Sequence, residues 1–104
     1  MLMMMKVNIP VEAGNAAARG KSLDSKVGQI LEMMKPEAAY FTEDEGMRTG
    51  FIFSSMQESS QVPAFAEPWF LAFNAKVSFK PAMTIEDLKK AAPGIEAAVK
   101  KFGS

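Results

Sequence analysis

The segment AEPWFLAFNAKVSFKP, residues 66–81, changes its periodicity halfway, and this change indicates a mixed α+β fold. Its first half places Trp69, Phe70 and Phe73 within about one and a half turns of a helix, where they form a bulky apolar cluster. Its second half alternates apolar and polar side chains from Ala75 to Lys80, which is the two-residue period of a strand. The segment therefore predicts a helix followed directly by a strand.

The same patterns, followed outward in both directions, predict the other elements of the fold. They are a strand over residues 3–11, a loop with some helical character over 12–21, a helix over 22–36, two strands around a turn within 37–56, and a helical region over 83–103 broken at Pro93 and Gly94. The aromatic helix, residues 59–73, contains Pro68, which is expected to kink or split it. The order is βαββαβ with an extra C-terminal helix, and this ferredoxin-like arrangement predicts one α+β domain over residues 1–104 with a four-stranded antiparallel sheet.

The composition excludes several classes of functional site. The 104 residues include no Cys and no His, so disulfides, thiolate nucleophiles, iron–sulfur clusters, Cys-bound zinc and His-bound haem are excluded. We expect no cofactor and no metal. The net charge is zero, which gives no general attraction to nucleic acid or to an anionic membrane. The apolar run at the N-terminus is too short for a signal peptide, and the expectation is a soluble cytoplasmic protein.

One face of the predicted sheet carries mostly polar side chains. In the first strand Met5, Val7, Ile9 and Val11 share one face and Lys6 and Asn8 the other. The polar face is expected to hold Lys6, Asn8, Tyr40, Thr42, Lys76, Ser78 and Lys80, together with Arg48, Ile52 and Ser54 if the third strand points its even-numbered residues there. This face is either solvated or enclosed between two subunits. Enclosed lysines would need acidic partners or a bound anion.

Three stretches resemble a known superfamily: KPEAAYF at residues 35–41, EDEGMRTGFIF at 43–53, and QVPAFAEPWFLAFNAKVSFKPAMTIEDLKKA at 61–91. They resemble small uncharacterised bacterial proteins of the dimeric α+β barrel superfamily. The resemblance covers nearly the whole chain, but its motifs describe a fold and no reaction. It implies a homodimer in which two sheets pack face to face. More distant members of the superfamily include monooxygenases of antibiotic biosynthesis and muconolactone isomerase-like proteins.

Five residues are candidates for binding a ligand. Trp69 and Phe73 either pack on the sheet as core or line a cavity that Pro68 opens between the helix and the sheet. Lys6, Asn8 and Lys76 would face a ligand if the polar face is enclosed. The ligand that these residue types suit is a small anionic or aromatic molecule.

Three further residues are candidates for catalysis, and each has an ordinary structural alternative. Tyr40 could donate to a carbonyl or enolate, or could be a plain strand aromatic. Arg48 could clamp a carboxylate, or could pair with Glu43 or Asp44 across the hairpin. Glu67 could act as a general base, or could be a solvated helix residue.

Two functions of different classes are compatible with these residues. The first is a small-molecule-binding protein without a recognisable catalytic motif. The second is a cofactor-independent isomerase or monooxygenase-like enzyme that acts on a small aromatic or carboxylate substrate. RNA binding would need exposed aromatic side chains on the polar strands and an RNP-like sequence, and neither is indicated.

Overall fold

A computed structural model describes residues 1–104 and confirms the predicted α+β class. The strands are β1 (Leu2–Ile9), β2 (Ala38–Asp44), β3 (Met47–Ser55) and β4 (Lys76–Pro81); the helices are α1 (Val11–Arg19), α2 (Leu23–Met34), α3 (Val62–Phe73), α4 (Ile85–Lys90) and α5 (Ala92–Phe102). A short 3-10 turn, Ser59–Gln61, precedes α3. The strands form one sheet in the order β2-β3-β1-β4, with every neighbouring pair antiparallel. This is the strand order of a ferredoxin-like fold.

The first helix is a correction to the sequence analysis. The strand was expected over residues 3–11 and a loop with some helical character over 12–21, but β1 ends at Ile9, directly before Pro10, and a full helix, α1, begins at Val11. Pro10 lacks an amide hydrogen for the ladder and its fixed φ suits the residue before a helix. The alanines that follow are strong helix formers, and their propensity outweighs the single interior glycine, Gly14.

The aromatic helix is one continuous element, so of the two expected effects of Pro68, a kink or a split, the split was wrong. A proline at this position leaves the carbonyl of Ala64 without its helical donor. Ala64 is solvent-exposed, which allows water to take the place of that donor. Asn74 ends the helix in the left-handed conformation with φ 52°, and its N–H donates to the Phe70 carbonyl at 2.9 Å.

The core lies between the sheet and α1–α3. Its largest fully buried side chains are Trp69, Phe73, Ile52, Val7 and Thr49. Trp69 is 0% exposed, and its ring stacks on Phe73 with centroids 6.2 Å apart. The aromatic cluster of residues 66–81 is therefore chiefly core.

The chain leaves this core after β4. The last helical region is divided as predicted, but at Ala91 and not at Pro93 and Gly94: α4 ends at Lys90, and Pro93 lies in the first turn of α5. Thr84 and Asp87 form a capping box at the start of α4, with reciprocal hydrogen bonds of 3.1 Å. The radius of gyration is 17.3 Å, against roughly 13 Å for a compact chain of this length. We call residues 84–103 the C-terminal arm, because α4 and α5 contact each other where they meet and make no extensive contact with the other elements.

None of the helices is long and apolar enough to cross a membrane.

Candidate functional site

The strand register decides which side chains share a face of the sheet. Met5 of β1 pairs with Ile52 of β3 on one side and with Phe79 of β4 on the other. Directly paired residues point to the same face. The even-numbered residues of β3 therefore lie on the helix side with Met5. The conditional placement of Arg48, Ile52 and Ser54 on the polar face was wrong.

We call the side of the sheet that faces away from α1–α3 the open face. No helix packs over it. Its residues are Met4, Lys6, Asn8, Ala38, Tyr40, Thr42, Asp44, Met47, Thr49, Phe51, Phe53, Lys76, Ser78 and Lys80. Tyr40 is 67% exposed, and Phe51 and Phe53 are partly exposed. The expectation that the polar strands lack exposed aromatic side chains was wrong, because the odd-numbered residues of β3 point here.

The polar residues of the open face form a paired network. Asn8 and Thr49 are each 2% exposed, and the Asn8 amide donates to the Thr49 hydroxyl at 2.8 Å. That hydroxyl donates to the Met47 carbonyl at 3.0 Å. The Lys6 ammonium lies 2.5 Å from Asp44 Oδ2. The Asn8 and Thr49 side chains are thus hydrogen-bonded to each other, whereas the buried Asp44 Oδ2 has only the ion pair with the Lys6 ammonium.

The ion pair shifts both of its members toward their charged forms. The hydrogen bond from Lys6 lowers the pKa of the Asp44 carboxyl below its usual 3.8, against the opposing effect of burial. The same hydrogen bond raises the pKa of Lys6 above 10.5. Both groups are therefore charged at neutral pH.

The predicted site residues do not converge on one site. Lys6, Asn8, Tyr40 and Lys76 share the open face. Trp69 lies in the core and lines none of the main cavities.

The remaining candidates, Phe73, Glu67 and Arg48, lie away from the open face. Phe73 is core, and only a shallow depression beside α1 reaches it. Glu67 is exposed on α3, on an apolar groove shared with the end of α2. Arg48 is on the helix side of the sheet. The three catalytic candidates, Tyr40, Arg48 and Glu67, thus occupy three separate surfaces.

Arg48 belongs to the cavity that best combines polar and apolar groups. We call it the Arg48 groove; its volume is about 540 Å³. It is lined by Ile9, Leu23, Asp24, Val27, Gly28, Phe41, Thr42, Arg48 and Thr49. It lies between α2 and the β2–β3 hairpin, where α2 leaves Phe41 53% exposed. Its size is within the usual range for small-molecule sites, roughly 300–1,000 Å³.

The Arg48 side chain is held by α1. Its Nη1 donates to Asn15 Oδ1 at 3.0 Å, and Asp44 pairs with Lys6, so the alternative of a pair between Arg48 and Glu43 or Asp44 is not found. The guanidinium approaches α1 where there is no side chain: a Cβ built on Gly14 would lie 2.7 Å from Nη1. One of the five guanidinium N–H groups is used by Asn15, which leaves others for a carboxylate.

Two glycines shape the groove around its aromatic wall. A Cβ on Gly50 would lie 2.9 Å from Cε1 of Phe41, so Phe41 lies against the bare backbone of β3. A Cβ on Gly28 would meet no atom within 4 Å, so this side of α2 leaves space open.

Arg48 was recognisable as a candidate from the sequence, but the residues around it were not. Asn15, Gly14, Gly28 and Phe41 were not candidates. The sequence did carry a signal at Gly14 and Gly28. A glycine inside a helix costs stability, so its presence often marks a close approach or a needed space.

No protein-family model matches the chain, and no curated protein matches it.

Proposed function

We propose that the protein binds a small molecule, and that the ligand is a small aromatic carboxylate held in the Arg48 groove. The observation that carries the proposal is the exposed guanidinium of Arg48, which donates to Asn15 and lines a groove together with four apolar side chains. A carboxylate would accept two parallel hydrogen bonds from Arg48. Its ring would lie between Phe41 on one side and Leu23 and Val27 on the other.

The acidic residue of the groove sets a limit on the ligand. Asp24 lies in the first turn of α2 and lines the groove with Arg48. A ligand with two carboxylates would bring one of them toward Asp24, which like charges disfavour. We therefore expect a monocarboxylate to bind better than a dicarboxylate of similar size.

We further propose that the protein acts as a homodimer, packed through the open face as a dimeric α+β barrel. Tyr40, Phe51, Phe53 and Met4 supply apolar surface there, and no element of the same chain covers them. Lys6 already has its acidic partner in Asp44, so burial of this pair would leave no uncompensated charge. Lys76 and Lys80 lie on β4, an edge strand, where they would stay at the rim.

The binding proposal is tested with benzoate and benzamide as probes, which differ in charge and share a ring. Thermal unfolding and calorimetric titration are measured for each probe. The expected result is stabilisation by benzoate and much weaker stabilisation by benzamide. In Arg48→Met, the preference for benzoate should disappear. Equal effects of both probes on the wild type would contradict a role for the guanidinium.

The dimer is tested by the native mass in solution across a dilution series. The chain mass is 11.3 kDa, and we expect at least twice that value. Phe51→Lys places a charge in the middle of the open face and should halve the mass. A wild-type monomer at micromolar concentration would overturn the barrel, and the groove would then have to bind ligand in a single chain.

A further inference from the structure

The C-terminal arm exposes an apolar stripe that nothing in its own chain covers. Its residues are Ile85, Leu88, Ala92, Ile95, Val99 and Phe102. The five large side chains among them are between 48% and 78% exposed. A helix this short is marginal in water unless such a stripe is packed. The arm therefore needs a partner surface.

The spacing of this stripe is that of a coiled coil. Consecutive members are separated by three and four residues in strict alternation, which is the a and d pattern of a heptad. The turn between α4 and α5 does not interrupt it. Ala91 keeps right-handed helical angles, φ −79° and ψ −13°, and accepts hydrogen bonds from Gly94 and Ile95. The arm thus presents one seam through both helices.

The seam is self-complementary in the antiparallel direction. Two arms crossing at Pro93–Gly94 would place Ile85 opposite Phe102 and Leu88 opposite Val99. These are the a-to-d contacts of an antiparallel pair. The flanking e positions hold Lys89 and Glu96, which would meet across the pair with opposite charge. The g positions on the other flank hold Ala91 and Ala98, whose small side chains would let the two arms approach each other closely.

We propose that the arm is an interface between copies of this chain, in which two arms pair antiparallel as a short coiled coil. The partner is a second copy because both the apolar layers and the e-position charges match when the arm meets its own reverse. Such an interface is isologous, with the same surface on both chains. It is separate from the open face, so the two interfaces together would build an assembly larger than a dimer.

Two substitutions of the same type, two residues apart, test the seam. Val99→Glu puts a charge into it, and Ala97→Glu puts the same charge at the outward f position of the same helix. The expected result by light scattering at high protein concentration is that Val99→Glu halves the native mass and Ala97→Glu leaves it unchanged. Equal masses for both variants and the wild type would overturn the proposal.

Charge reversal tests the antiparallel direction. Lys89→Glu or Glu96→Lys alone makes the e positions repel, and the dissociation constant should rise by about 3- to 10-fold. Combining them restores opposite charges and should restore the wild-type constant. An arm that folds back on its own body, or that binds a vesicle of anionic lipid instead, would show no such rescue, and the proposal would fail. Phe51→Lys tests only the open-face interface, whereas the arm variants test only the arm interface. Failure of one proposal can therefore be told apart from failure of the other.

Discussion

The two faces of the sheet are built from the same strands by alternate residues, yet they are organised in opposite ways. On the helix side, Met5, Val7 and Ile52 pack under three helices, and only the Arg48 groove stays open. On the other side, aromatic residues surround a polar network and no helix covers them. The packing within a single chain therefore accounts for the stability of the helix side. The open face, in contrast, carries apolar surface that a single chain leaves unburied.

The largest expected effect separates two neighbours of β3. Ile52→Ala removes a fully buried side chain from the helix side and should lower the free energy of unfolding by about 2–5 kcal/mol. Phe51→Ala removes a larger side chain from the open face and should cost the isolated chain less. Urea unfolding at low protein concentration measures both. A greater loss for Phe51→Ala would mean that the open face is part of the monomer's core.

The next largest loss of stability is expected on removal of the buried Asn8 side-chain amide. Asn8→Ala leaves the Thr49 hydroxyl without its donor and should cost about 1–3 kcal/mol. Thr49→Val removes the other partner. If the hydrogen bond is what matters, the double variant should lose less than the sum of the two single losses. Strict additivity in urea unfolding would show that the two side chains act independently.

A smaller effect is expected in acid, through the Lys6–Asp44 ion pair. The folded-state pKa of Asp44 lies below 3.8, so its ion pair stabilises the fold fully above that value. The contribution is lost as the pH falls through the lowered pKa. Asp44→Asn should therefore be less stable than the wild type near neutral pH, and the gap should close as the pH is lowered below 3.8. Thermal unfolding across that range measures it, and a constant gap would assign the loss to something other than the charge.

The open face also shows where sequence reasoning reached its limit. Alternation placed Lys6, Asn8, Tyr40 and Lys76 together correctly, because side-chain parity within a strand is fixed. The parity of β3 relative to its neighbours depends on the hairpin. Glu45 and Gly46 form a two-residue loop with positive φ at both positions, and this pairs Asp44 with Met47. Without that loop fixed, Arg48 could be placed on either face.

The helix side was less predictable for a different reason. The strands, the capping box and the aromatic core follow from local patterns, as does the left-handed Asn74. The Arg48 groove depends on α1, which was expected to be a loop, and on contacts between residues more than thirty positions apart. Gly14 is useful there because Arg48 lies against it, and only the packed structure brings those two residues together.

The glycine beside Arg48 gives the smallest and most local test. Gly14→Ala suits the helix but brings Cβ within 2.7 Å of the guanidinium nitrogen, so Arg48 should shift from Asn15. We expect benzoate affinity to fall by about tenfold, which corresponds to one lost charged hydrogen bond, with little change in unfolding. Calorimetric titration and thermal unfolding measure the two quantities. Unchanged affinity would show that the position of Arg48 does not matter for binding.

The central claim is that the Arg48 groove holds the ligand, and filling it is the most direct test. Gly28→Leu projects a side chain into space that is now free, whereas Gly94→Leu makes the same change in the arm, where a Cβ also meets nothing within 4 Å. Benzoate binding is measured by calorimetric titration for both variants and the wild type. The account predicts that Gly28→Leu abolishes binding while the protein stays folded, and that Gly94→Leu binds as the wild type does. Undiminished binding by a folded Gly28→Leu variant would contradict it.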